Sequence, residues 1–274
     1  MSIISYAQNF EDVMLWRALG HINKGFYIDV GAQHPILDSV SNAFYEQGWR
    51  GVHVEPTESY AAMLREARPD ELVIQAALSD KAGTILFYEI AESGLSTGDA
   101  SIAEHHKSRG YTVLEKTVHT ITLDDLFDQI SSPTVHWLKI DVEGMEQSVL
   151  SGWNASNNRP LVVVVESTYP NSQIATYLEW EELILVKGYT HQYFDGLNRY
   201  YISNECTDII QYFKVPPNIF DGFQLASSSP YNAIARKYFE EKEQDKLILL
   251  DAAHAEITRL KNQIPTMQVG KTSE

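Results

Sequence analysis

The sequence predicts an α/β fold, a doubly wound, Rossmann-like and mostly parallel sheet with an antiparallel edge hairpin, followed by a C-terminal helix. Three observations predict it. Short apolar runs alternate with segments of helical period over residues 9–203. Two of those runs end in acids about twenty residues apart, Phe26-Tyr27-Ile28-Asp29-Val30-Gly31 and Gly51-Val52-His53-Val54-Glu55-Pro56. A third, Pro160-Leu161-Val162-Val163-Val164-Val165-Glu166, is apolar on both faces, as a central parallel strand must be.

The elements follow in order. Phe10, Val13, Met14 and Leu19 recur at helical spacing, with Glu11 and Asp12 early where the helix dipole favours acids, so Asn9 to Leu19 is a lead-in helix. Ser39 to Gln47 is the first crossover helix, stopped by Gly48, and Thr57 to Ala67 is the second, ended by Pro69. Leu72 to Leu78 is a third buried strand, and Thr84 to Glu89 resumes extended structure after a turn cluster at Ser79 to Gly83. Ser93 to Gly110, rich in small and polar residues, has no sustained period and reads as a mobile, functional loop. A short helix over Leu123 to Ile130 precedes the strand Val135 to Asp141, and a helix from Gly144 to Leu150 leads to the strand ending at Glu166. Glu179 to Lys187 is a helix stopped by Gly188, and Tyr189 to Phe194 with Arg199 to Ser203 form the closing hairpin through Asp195-Gly196-Leu197-Asn198.

After Pro216-Pro217 the texture changes. Leu250, Ala253, Ile257, Leu260 and Ile264 alternate three and four apart, a seam of about two heptads that suits a short coiled coil or an amphipathic helix on its own domain. The expected division is therefore residues 1–217 as the cofactor-binding domain, 218–264 as a helical extension able to take a partner helix or a second copy, and 265–274 as a disordered tail.

Composition narrows the function. The 274 residues carry 21 Lys and Arg against 37 Asp and Glu, a formal charge of -16, which argues against nucleic acid as a partner. The single cysteine, Cys206, excludes an intrachain disulfide and a Cys-rich metal site, and reads as a small half-buried residue. Without a signal-like N-terminus or an apolar run near the roughly 20 residues of a membrane span, the expected location is the cytoplasm.

Strands ending in Asp29 and Glu55 suit an adenosine ligand, the second acid reaching the ribose diol. A pyrophosphate cradle is missing, because Gly31 is followed by Ala32-Gln33-His34-Pro35 and not by further glycines. An adenosine cofactor without phosphates is S-adenosylmethionine, whose positive charges suit acidic surroundings. Asp29, Glu55, Asp141 and Glu166 would all lie at the carboxyl ends of strands, where such sheets bind ligands.

These segments resemble the FkbM-type S-adenosylmethionine-dependent methyltransferases, enzymes that mostly methylate hydroxyl oxygens on sugars and natural products. The resemblance is carried by Ser5-Tyr6-Ala7-Gln8-Asn9-Phe10-Glu11-Asp12, Tyr27-Ile28-Asp29-Val30-Gly31-Ala32, Gly48-Trp49-Arg50-Gly51-Val52-His53-Val54-Glu55-Pro56 and Leu138-Lys139-Ile140-Asp141-Val142-Glu143-Gly144-Met145-Glu146, and it runs from about Ser5 to Ser203. It implies a class I methyltransferase sheet. By the same resemblance Asp29, Gly31 and Ala32 would line the methionine end of the cofactor, Glu55 would take the ribose hydroxyls, Ala77-Leu78-Ser79 would flank the adenine, and Gln8 and Asp12 would face the cofactor. The acceptor would be a saccharide or glycoconjugate in bacterial surface polysaccharide assembly.

Methyl transfer to a hydroxyl needs a base or a Lewis acid. Asp141 and Glu143, after the fourth main strand, and His34, in the first ligand loop, are the candidates for the base. Asp141, Glu143 and Glu166 with His34 could alternatively hold a divalent cation, Mg²⁺ or Mn²⁺. His53 and His136 fall inside strands and read as core residues, whereas His105 and His106 belong to the candidate lid. Trp49, Tyr169 and Tyr193 are candidate stacking faces for a sugar. Two other classes share parts of the pattern: a nicotinamide-dependent oxidoreductase, which would need the missing glycines, and a non-catalytic assembly subunit acting through the C-terminal helix.

Overall fold

The computed structural model of the chain describes residues 2–91, 93–130, 132 and 134–263. In chain order its elements are β1 (Ile4–Ser5), α1 (Glu11–Leu19), β2 (Phe26–Val30), α2 (Val40–Glu46), β3 (Arg50–Val54), α3 (Glu58–Ala67), β4 (Leu72–Ile74), β5 (Ala77–Leu78), β6 (Gly83–Glu89), α4 (Ala100–Ser108), β7 (Leu114–Ile121), α5 (Leu123–Asp128), β8 (Trp137–Ile140), α6 (Glu146–Ser151), β9 (Val162–Glu166), α7 (Glu181–Leu185), β10 (Tyr189–Phe194), β11 (Asn198–Ser203), β12 (Gln224–Leu225) and α8 (Ala233–Gln263).

The main sheet has the order β10-β11-β9-β8-β2-β3-β4. Strands β9, β8, β2, β3 and β4 pair in parallel. The closing hairpin forms the antiparallel edge, with its two strands in reversed order. Its second strand, β11, inserts antiparallel beside β9, and β10 pairs outside it. The chain adds β3 on one side of β2 and β8 on the other, and this reversal of strand order is the switch point at which ligands bind such sheets.

Alternation along each strand builds two cores. Ile28 and Val30, Leu138 and Ile140, and Val163 and Val165 face one layer, filled by Leu123, Leu126 and Phe127 of α5, Val149 and Leu150 of α6 and Ile184 of α7. Tyr27, Trp137, Val162 and Val164 face the other, filled by Met14 and Leu15 of α1 and Phe44 of α2. Tyr27 stacks on Trp137 with centroids 4.6 Å apart. The parity carries on to the strand ends, so Asp29, Lys139 and Glu166 share this second face, beneath α1.

Several elements depart from the sequence expectations. The strand expected over Leu72 to Leu78 is broken at Gln75-Ala76, and its second half, β5, joins a separate three-stranded sheet of order β5-β7-β6. β7 was not expected at all. The segment read as a mobile loop contains α4, begun by Asp99, whose carboxylate accepts the Ser101 and Ile102 N–H groups. Trp49 is a core residue, 1% exposed and packed on Phe44, and therefore not a stacking face for a ligand. His53 is buried, its Nε2 2.8 Å from Glu71, and His136 pairs with the Phe26 backbone.

The chain divides into two compact units, the first reaching Ala226 and the second beginning at Ser227. β12 pairs in parallel with β1, which carries the first unit past Pro217. In the second unit α8 runs for 31 residues with Leu247, Leu250, Ile257 and Leu260 exposed. Ile264 and the tail expected over 265–274 lie outside the described residues. Among the described residues no helix is long and apolar enough to cross a membrane.

Candidate cofactor and catalytic site

Two clefts meet at the carboxyl ends of β2, β3 and β8. The first is lined mainly by apolar groups, Val54, Pro56, Ala76, Ala77, Leu78 and Phe87 among them, with Glu55 and Tyr60 as polar members. The second, an open cavity of about 470 Å³, is polar and takes in Gln8, Asp29, Ala32, Asp38, Lys139, Glu166 and the stretch Asn171-Ser172-Gln173. Gly31, Gln33, Gly94, Asp141 and Glu143 belong to the walls of both.

Gly31 is dictated by geometry. Its φ is +76°, and a Cβ there would lie 1.8 Å from the Asp141 carbonyl oxygen, so only glycine lets the ends of β2 and β8 close together. Glu55 follows β3 and is 2% exposed. Its Oε1 accepts the Thr57 N–H at 2.7 Å and its Oε2 the Gln33 N–H at 2.9 Å, which fixes the carboxylate at the rim of the apolar cleft. Burial pushes its pKa up to about 6, against the pull of those two N–H groups.

The acidic end is built around Lys139. Its Nζ lies 2.5 Å from Asp141 Oδ2. Burial pulls the ammonium pKa down, but Asp141, Asp29 and Glu11 more than offset this and hold it above the usual lysine range. Asp141, Glu143 and Glu166 converge beside it, one oxygen of each within 4.8 Å of the others. Glu143 sits in the left-handed region with φ 50°, just before Gly144 at φ 96°. Burial first, then the Asp141 and Glu146 charges, pushes Glu143 well above the usual carboxylate range. Burial, then Asp141 and Glu143, does the same to Glu166.

A segment from Ser93 to α4 closes over this turn. Thr97 Oγ1 donates to the Glu143 carbonyl at 2.7 Å, Gly98 lies against Met145, and Ile102 covers Gly144. Gln33 Nε2 donates to the Gly94 carbonyl at 3.2 Å.

Of the cofactor, base and metal residues expected from sequence, Gln8, Asp29, Gly31, Ala32, Glu55, Ala77, Leu78, Asp141, Glu143 and Glu166 line these clefts. Three do not. Asp12 turns inward: its oxygens accept the Ser5 hydroxyl and the N–H groups of Tyr6, Ala7 and Val13, so it fastens the N-terminal segment to α1. Ser79 donates to or accepts from Ser148 and stands outside both walls. His34 uses Nδ1 to accept the Ile36 and Leu37 N–H groups, and burial lowers its pKa, so it braces its own loop and stands apart from the cluster of Asp141, Glu143 and Glu166.

Lys139, Gln33, Tyr60, Phe87 and Ser93 were not foreseen. Lys139 could have been read from strand parity, since it lies two residues before Asp141 on the same face. Gln33 and Ser93 depend on how distant loops meet, which leaves no local signal.

The family model for the FkbM methyltransferase domain matches residues 29–193. No curated protein sequence matches. Among solved structures, a TehB-like SAM-dependent methyltransferase from Corynebacterium glutamicum is similar at 8% identity, covering 70% of this chain and 86% of that one with a TM-score of 0.40. That superposition is too loose to add to the family match. The matched region takes in β2 to β10, the switch point and every carboxylate of the cluster, and it spans more than half of the sequence: the chain belongs to the FkbM methyltransferase family.

Proposed function

We propose that this protein transfers a methyl group from S-adenosylmethionine to a hydroxyl oxygen of a sugar or glycoconjugate, in the assembly of bacterial surface polysaccharide. The observation that carries the reading is the shared wall: Asp141 and Glu143 belong to both the apolar cleft and the polar one. A donor held in the first and an acceptor held in the second would meet at carboxylates.

The residues fit the cofactor. Val54, Ala77, Leu78 and Phe87 offer an apolar slot for adenine, and Glu55 a fixed carboxylate for the ribose diol. Asp29 and Gln8 face the polar side, where a methionine ammonium would be received. When bound, S-adenosylmethionine supplies an electrophilic methyl carbon. Among the chain's own residues, Asp141 accepts the proton of the acceptor hydroxyl, and Lys139, 2.5 Å away, orients that carboxylate. Amide and hydroxyl side chains of Asn171, Ser172 and Gln173 supply the neutral hydrogen-bonding surface that suits a saccharide. The polysaccharide setting rests on the family's usual acceptors. The family match sets aside the nicotinamide-dependent oxidoreductase.

Labelled S-adenosylmethionine offered to the purified protein with sugar, protein and nucleic-acid acceptors tests the reading. Label should enter saccharide material, and Asp141→Asn should lower that turnover about 100-fold or more while cofactor affinity changes far less. Labelling confined to protein or nucleic acid, or full activity in Asp141→Asn, contradicts it.

A further inference from the structure

Two acids of the carboxylate cluster are short of partners in a way that Asp12, Glu55 and Glu146 are not. Asp12 and Glu55 each accept at least two N–H groups, and Glu146 accepts those of Val142 and Gly144. Glu143 is 9% exposed and Glu166 7%, yet the buried Oε2 of each has no hydrogen-bond partner among the described residues. A buried polar oxygen left without a donor is costly, and more so when it is charged. Three acids and Lys139 sum to a charge of about -2 when all are ionised, which a single ammonium cannot balance.

We propose that Asp141, Glu143 and Glu166 hold a hard divalent cation, of the Mg²⁺ or Mn²⁺ class, with its remaining positions open toward the polar cleft. All three ligands are carboxylate oxygens, the donor type such ions select. Oxygens on opposite sides of Mg²⁺ stand about 4.2 Å apart, and of Ca²⁺ about 4.6 to 5.2 Å, so a cluster within 4.8 Å closes on either by small side-chain rotations. The ligands come from the ends of two adjacent strands, β8 and β9, and from the turn before α6, which the Thr97 hydroxyl fixes through the Glu143 carbonyl.

The role of the ion rests on the methyl-transfer reading; its binding does not. An acceptor hydroxyl taken into an open position is made more acidic and gives its proton to the Asp141 carboxylate, from which it passes to water in the cleft. Its oxygen then forms the bond to the methyl carbon as the carbon–sulfur bond breaks, and that electron pair stays on sulfur. One alcohol and one sulfonium thus give one ether, one thioether and one proton.

The test is binding of Mn²⁺ alone to the full chain after treatment with chelator, followed by electron paramagnetic resonance without S-adenosylmethionine. One Mn²⁺ per chain is expected, displaced by Mg²⁺. Glu143→Gln and Glu166→Gln should each weaken it at least tenfold, with unchanged far-ultraviolet circular dichroism reporting that each variant is folded. No Mn²⁺ bound by the wild type, or equal binding by both folded variants, overturns the proposal. Displacement of Mn²⁺ by S-adenosylmethionine would also overturn it, because the cluster would then serve the cofactor's own positive charge. Calorimetry of the metal-free protein with S-adenosylmethionine reports separately on the methyltransferase reading.

Discussion

Glu55 and Glu11 are both buried acids, but they sit at opposite ends of the site and make different predictions. Glu55 is held by two backbone N–H groups and stands at the rim of the apolar cleft. Glu55→Ala should weaken S-adenosylmethionine by about 1 to 3 kcal/mol, or roughly 5- to 150-fold, the loss expected of a charged hydrogen-bond partner. Calorimetry on the folded variant measures it, and unchanged affinity removes Glu55 from the site. Glu11 lies under the acidic end, accepting the Asn9 N–H and the Asn198 side-chain amide, and burial followed by Asp195 pushes its pKa from the usual 4.5 to about 7. An acid whose folded pKa is raised binds its proton more tightly folded than unfolded, so its contribution to stability falls as pH rises from about 4.5 to 7. Glu11→Gln removes that loss. The Tm of Glu11→Gln minus that of the wild type should therefore grow between pH 5 and pH 8, and a difference that is flat or shrinks would contradict the assignment. Both carboxylates were visible in the sequence as acids near apolar runs. Their burial was legible only through strand and helix parity, which is why Glu55 was read as a ligand group and Glu11 merely as a helix-dipole acid.

At the scale of elements, the switch point depends on how closely β2 approaches β8. Gly31→Ala would place a methyl group 1.8 Å from the Asp141 carbonyl oxygen at a φ of +76°, so it should destabilise the protein by about 2 kcal/mol or more, measured by urea denaturation. A neutral result would mean that the two strand ends part more easily than this packing implies. The buried strands were legible because β2, β3, β8 and β9 are apolar where they are packed. β7 was not, because most of Leu114–Ile121 is exposed and its charged residues, Glu115 and Lys116, erase the alternation that marks a half-buried strand. α4 buries only Ile102, Ala103 and His106, too few for a clear period, although Asp99 before it and Gly110 after it are ordinary helix boundaries. The insertion of β11 between β9 and β10 is a long-range choice of partner, and the turn sequence Asp195-Gly196 says only that two strands reverse.

For the molecule as a whole, the acidic composition has a local meaning. The formal charge of -16 is spread over the chain, but at the site Asp29, Asp141, Glu143 and Glu166 surround one buried lysine, a setting that favours a cationic ligand. The apolar cleft was readable as a candidate adenosine site from two strand ends and the missing glycine pattern. The polar cleft was not, since it is assembled from Gln8, Asp38 and Asn171-Ser172-Gln173, which the fold brings together from three separate stretches of chain. His34 misled for the same reason: a histidine three residues past Gly31 is close in sequence, and only the loop's own hydrogen bonds show that its Nδ1 is taken. The central claim, that the apolar cleft with Glu55 at its rim binds S-adenosylmethionine beside the acidic cluster, is tested most directly by titrating the purified chain with S-adenosylmethionine and, separately, with NAD in a calorimeter. The account predicts one S-adenosylmethionine per chain, weakened by Glu55→Ala, and no heat from NAD. Binding of NAD, or no binding of S-adenosylmethionine to the folded protein, would contradict it.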